Sequence, residues 1–109
     1  MKLICEVKAV YPAMNNLGVM RTYTSKDGET YDCWQVELAV PYYTSKGEKR
    51  YDTILCDHSR KRTAENSDTT PFADVIGVEN CMASISFSVR LWEGKRFNNI
   101  YLSNISKQV

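Results

Sequence analysis

Between Cys81 and Ile105 the chain alternates so regularly that few folds can accommodate it. Cys81, Ala83, Ile85, Phe87, Val89 and Leu91 share one parity, and Met82, Ser84, Ser86, Ser88, Arg90 and Trp92 share the other. A period of two held this long predicts a strand with one buried and one wetted face. Glu93-Gly94-Lys95 interrupts it, and Arg96–Ile105 starts a second run in which Ile100 and Leu102 are inward candidates and Tyr101 and Ser103 point out. A short glycine-containing break between two such runs predicts a hairpin. The apolar side of that hairpin must pack on something, and the rest of the chain is expected to close a barrel around it.

Three further runs supply the material. Lys2–Tyr11 places Leu3, Cys5, Val7 and Ala9 on one side, and Val10 breaks the alternation, which predicts a bulge or strong curvature. Pro12 ends the run because it has no N–H to give. Tyr31–Val40 carries Trp34, Val36, Leu38 and Val40 as a core stripe and closes at Pro41; Arg50–Asp57 is the third main strand. Val19–Thr24 is a shorter candidate. Tyr23-Thr24-Ser25-Lys26-Asp27-Gly28-Glu29 and Tyr43-Thr44-Ser45-Lys46-Gly47-Glu48 are almost the same words, followed by Tyr31 and Tyr51. They are expected to be two hairpin tips with shared turn chemistry, each placing tyrosines where paired strands meet a basic tip.

His58–Thr70 is polar and mixed in charge, with Arg60-Lys61-Arg62 followed by Glu65 and Asp68, and is expected to be a loop. Thr70-Pro71 then offers an N-cap and first helical residue, with Phe72, Val75 and Ile76 at helical spacing before Gly77, so a short helix is expected over Pro71–Ile76. Five β-runs with a helix between the third and fourth are the element order of an all-β, five-stranded OB-fold barrel, expected to span residues 1–109 as one domain. SH3-like barrels rank second because they do not ordinarily place a helix there.

The bulk numbers exclude several classes. A net charge of +1 means that any polyanion site must be a local patch. Charged residues stand where a signal peptide needs an apolar run, and no stretch approaches a membrane span, so the cytoplasm is the expected address. Cys5, Cys33, Cys56 and Cys81 are widely spaced, and with a lone His58 they offer no paired ligands for zinc; no metal or cofactor is expected. There is no glycine-rich phosphate loop and no context for a catalytic triad, so the chain is not expected to be an enzyme.

Three places resemble the bacterial single-stranded-DNA-binding proteins and their primosomal OB-fold relatives. They are Arg50-Tyr51-Asp52-Thr53-Ile54-Leu55; Val89-Arg90-Leu91-Trp92 with its glycine turn and Arg96-Phe97; and Gln35–Val40 running into Tyr42-Tyr43. The resemblance implies base stacking by Tyr51, Trp92 and Tyr43. It does not imply recruitment through an acidic tail, since the chain stops at Ser106-Lys107-Gln108-Val109, and the His58–Thr70 connection is longer than is usual in that family. A small OB-fold family of unassigned function is also similar.

Lys46, Lys49 and Arg50 on one hairpin, and Arg90, Lys95 and Arg96 on the other, would neutralise phosphates beside those rings. Single-stranded DNA is therefore the expected partner, bound without catalysis, in replication or recombination. RNA stays open because the stacking chemistry is shared. Fold analogy suggests a homodimer. The competing expectation is a protein-interaction or oligomerisation module whose barrel edge or aromatic patch binds a protein or a second copy.

Overall fold

The computed structural model describes residues 1–108, leaving out the side chains of Arg90 and Trp92. Six strands carry the fold: β1 (Lys2–Pro12), β2 (Thr22–Thr24), β3 (Thr30–Tyr43), β4 (Lys49–Lys61), β5 (Cys81–Trp92) and β6 (Lys95–Lys107). The sheet order is β1-β5-β6-β4-β3-β2, and an added β1–β3 pairing closes five of the strands into a barrel with β2 outside it. Every pairing is antiparallel except β4 with β6, which is parallel and consists of one rung, Asp57 opposite Tyr101.

β1 performs the closure by serving two neighbours in turn. Lys2–Cys5 pairs with β5 and Glu6–Pro12 with β3, and the register shifts between Val7 and Ala9. The bulge expected from the broken alternation thus sits just past the change of partner between Cys5 and Glu6. Cys5, Val7, Val36, Leu38, Cys56, Cys81, Ala83, Ile85, Leu102 and Ile105 fill the interior. Trp34 is buried with the stripe it was assigned to, although its indole N–H finds no partner among the described residues.

The helix expected over Pro71–Ile76 is a single 3-10 turn, Ala73–Val75. Phe72 breaks it by adopting φ 59, a left-handed conformation that an α-helix cannot contain. The turn still plugs the barrel: Val75 is buried in the core, and Gly77 N–H donates to the Val7 carbonyl at 2.9 Å. No described helix is long and apolar enough to cross a membrane.

β4 runs four residues past its expected end, to Lys61, so His58 is a buried strand residue and not part of a loop. Its Nδ1–H donates to the Leu102 carbonyl at 2.7 Å, and its ring lies 4.6 Å from that of Phe72. Beside a one-rung pairing, this side chain takes the place of a missing ladder bond between β4 and β6.

Burial holds the His58 imidazole below its ordinary value near 6.5, against a smaller opposing effect of the Leu102 hydrogen bond. The unfolded chain therefore takes up a proton before the folded one does. Stability should be complete above about pH 6.5 and fall as the pH drops through and below that value. Since His58 is the chain's one histidine, urea midpoints should decline between about pH 7 and 5, and His58→Gln should flatten that slope while lowering stability at neutral pH.

The hairpin that organises the sequence behaves differently at its two ends. Cys81, Ala83 and Ile85 are buried as expected, but Phe87, Val89 and Leu91 are 59%, 61% and 72% exposed. The alternation continues while the barrel wall opposite it stops: β1 pairs with β5 only to Ser84, and β4 pairs with β6 only at Tyr101. Beyond those points β5 and β6 form a two-stranded arm. The radius of gyration, 15.6 Å, accordingly exceeds the value of about 13 Å typical for a compact domain of similar length.

Candidate nucleic-acid interface

β3 and β4 pair from Tyr31–Lys61 to Tyr43–Lys49 without a register slip. The unbroken ladder keeps odd-numbered residues on the outer face throughout. That face reads Tyr31, Cys33, Gln35, Glu37, Ala39, Pro41 and Tyr43 on β3 and Lys61, Ser59, Asp57, Leu55, Thr53, Tyr51 and Lys49 on β4. It spans roughly 40 Å at about 3.3 Å per residue, with rings at both ends and carboxylates near the middle.

At one end lie residues the sequence singled out. Tyr43 and Tyr51 are 69% and 48% exposed, and the Lys49 ammonium sits 5.6 Å from the Tyr51 ring centroid. Lys46 is at the exposed tip of the turn. Arg50 is tied to Glu48 at 2.9 Å, which offsets much of its charge. Lys95 and Arg96 are exposed on the arm, whereas the expectations placed on Arg90 and Trp92 fall outside the described residues. Because β4 and β6 run parallel, the 44–48 and 93–94 turns lie toward the same end of the barrel.

The groove is elsewhere on the face. An open depression of about 830 Å³ runs between β2, β3, β4 and β6, with Tyr23 and Tyr101 among its lining residues and Arg21, Gln35, Asp57 and Asn99 presenting polar groups. Tyr23 stacks on Tyr31, with centroids 5.0 Å apart and planes 4° from parallel. The Tyr23 hydroxyl is 3.4 Å from Ser59 Oγ, which is 3.1 Å from the Tyr101 hydroxyl, so a chain of hydroxyls crosses the groove.

Among the expected binding residues whose side chains are described, none lines this depression. Arg21 and Tyr101 were not assigned a role by the sequence. Tyr23 and Tyr31 stood in and beside the repeated words, which was the available signal. The structure explains those words: in both, an N–H and a carbonyl close a five-residue loop (Ser25–Glu29, 2.8 Å; Thr44–Glu48, 2.9 Å), with a glycine at φ 83 or 81 before its last residue. Asn15–Val19 closes in the same way. This is a type I turn followed by a left-handed residue, which glycine adopts without steric cost.

The basic run Arg60-Lys61-Arg62 is structural. Arg60 donates to the Asn66 and Thr69 carbonyls and lies 5.5 Å from the Trp34 ring centroid; Lys61 meets Glu29 at 3.4 Å; Arg62 forms a two-pronged pair with the buried Asp32. Arg60 thus ties the 66–69 turn back to β4, alongside the Asn66 amide bond to the Lys61 carbonyl. Arg60→Ala should cost roughly 1–3 kcal/mol in urea denaturation and speed amide exchange at residues 63–70, with little change elsewhere.

Cys5, Cys56 and Cys81 are buried free thiols, and burial pushes Cys5 and Cys56 up to about 11, which suppresses thiolate chemistry. No group of described residues could hold a metal ion. Cys33 is the only cysteine that is not buried, and it opens onto the groove. Comparison with protein-family models, curated proteins and solved structures returned no match, so function is read from these residues alone.

Proposed function

We propose that this chain is an OB-fold protein that binds single-stranded DNA, without catalysis, along the outer face of β3 and β4. The barrel supports that fold: five strands closed through β1, a parallel contact between the third and fifth barrel strands in chain order, and a plug between the third and fourth. The observation that carries the functional reading is the open groove between Tyr23 and Tyr101, in line along one face with Tyr51, Tyr43 and Lys49. Rings of this kind stack on bases of any sequence, and lysines beside them neutralise phosphates. The four free thiols fit the reducing cytoplasm expected from the sequence.

A labelled oligo-thymidine of about 15 nucleotides tests this by anisotropy. Binding should weaken steeply between about 50 and 200 mM salt, and should protect Cys33 from a thiol reagent. Salt-insensitive binding, or none, removes the reading; binding that leaves Cys33 unprotected moves the site away from the groove.

The arm favours a second reading. A two-stranded ribbon is marginal in water on its own, and this one exposes Phe87, Val89 and Leu91 with both edges open among the described residues. An interaction module that seats a second copy on that stripe would sediment as a salt-insensitive dimer without nucleic acid. Phe87→Ser with Leu91→Ser would then return it to monomer.

A further inference from the structure

Sequence-tolerant stacking needs rings and cations, yet the centre of this groove is furnished otherwise. Gln35 and Asp57 are directly paired across β3 and β4, and Asp57 is the residue that meets Tyr101 on β6. Asn99 precedes Tyr101 by two positions on the same strand face and lines the same depression. Among the described residues no salt bridge engages Asp57 or Arg21. A carboxylate on the floor repels phosphate, so a strand lying here must turn its bases inward and keep its backbone toward the rim, where Arg21 stands.

We propose that the groove holds one unstacked guanine of the bound strand, with Asp57 accepting from its Watson–Crick edge between Tyr23 and Tyr101. This rests on the strand-binding reading above and adds a base preference to it. A carboxylate presents two acceptors side by side. Guanine alone among the DNA bases offers two adjacent donors, N1–H and N2–H, to meet them. Thymine would set a carbonyl oxygen against the carboxylate, and adenine and cytosine offer a donor beside an acceptor. The amides of Gln35 and Asn99, each with two donor hydrogens, are placed to serve guanine O6.

The test compares an oligo-thymidine with the same oligomer carrying one central guanine, one central inosine, or neither, on the full chain and on Asp57→Asn. The wild-type protein should prefer the guanine oligomer by about tenfold. Inosine, which lacks the N2 amino group, should lose much of that preference. Asp57→Asn should abolish it, so that the guanine and thymine oligomers bind the variant equally. Equal wild-type binding of the guanine and thymine oligomers overturns the inference and leaves the strand-binding reading intact. So does a preference that survives in Asp57→Asn. Failure to bind any oligomer removes both. Guanosine monophosphate is added as a competitor: displacement at concentrations matching the oligomer would overturn assignment to a strand in favour of a free nucleotide. The inosine comparison uses the unaltered protein and holds even if the variant folds poorly.

Discussion

Truncating Leu102 to alanine should lower the unfolding free energy by about 2–5 kcal/mol, a large share of the roughly 5–15 kcal/mol expected for a domain of this size. Leu102 has no exposed surface and stands opposite Ile85 in the centre of the core. Its own carbonyl accepts the His58 hydrogen bond. The strand that carries it is joined to β4 by one rung, so relaxation into the vacated space also disturbs the weakest joint in the wall. Urea denaturation at neutral pH measures the loss. Leu91→Ala, on the exposed arm, should stay within about 0.5 kcal/mol. Comparable losses for the two would mean that the arm is packed in solution and that the exposed stripe has a partner.

The second large effect concerns binding. Replacing Tyr23 and Tyr101 together by alanine should weaken oligo-thymidine binding by about 1–3 kcal/mol for each base that loses its ring, or roughly thirtyfold to more than ten-thousandfold for the pair if the two losses add. Tyr101→Phe keeps the ring and breaks only the hydroxyl chain to Ser59, so it should bind nearly as the parent does. The pair Tyr43→Ala and Tyr51→Ala reports on the far end of the face, where both rings are exposed and Lys49 attends one of them. If the groove pair matters and the turn pair does not, the strand occupies the groove. If the turn pair alone matters, the site is the one the sequence suggested. If neither matters, stacking on this face is not how the protein binds.

Much of the wall was legible because period-two alternation reports directly which side of a strand faces inward. Cys81, Ala83, Ile85 and Leu102 were placed correctly on that basis, as was the bend in β1. Alternation says nothing of where the opposing wall ends, and so Phe87, Val89 and Leu91 were assigned to a core that stops at Ile85. The helix failed for a different reason: apolar spacing over Phe72–Ile76 was right for burial of Val75, but one left-handed residue reduced the segment to a single turn. His58 was hidden by its polar neighbours, of which Arg60 holds the 66–69 turn while Lys61 and Arg62 pair with Glu29 and Asp32 on or beside β3. The repeated words mislead by one position. Aligned by their turns, Tyr23 corresponds to Tyr42 and not to Tyr43: both loops have five residues, but the first starts at Ser25 and leaves Thr24 in the ladder, whereas the second starts at Thr44. The groove lay outside reach because Tyr23, Asp57 and Tyr101 come from three separate strands and meet only once the barrel has closed.

The lone rung between Asp57 and Tyr101 also shapes how the molecule can breathe. Four of the five joints in the wall are stitched by several rungs, so distortion should concentrate at the fifth, where one ladder contact, one imidazole and the Ser59–Tyr101 hydroxyl pair hold the edges. That joint borders the groove on both sides. Prising it apart would widen the cleft and leave every other ladder paired.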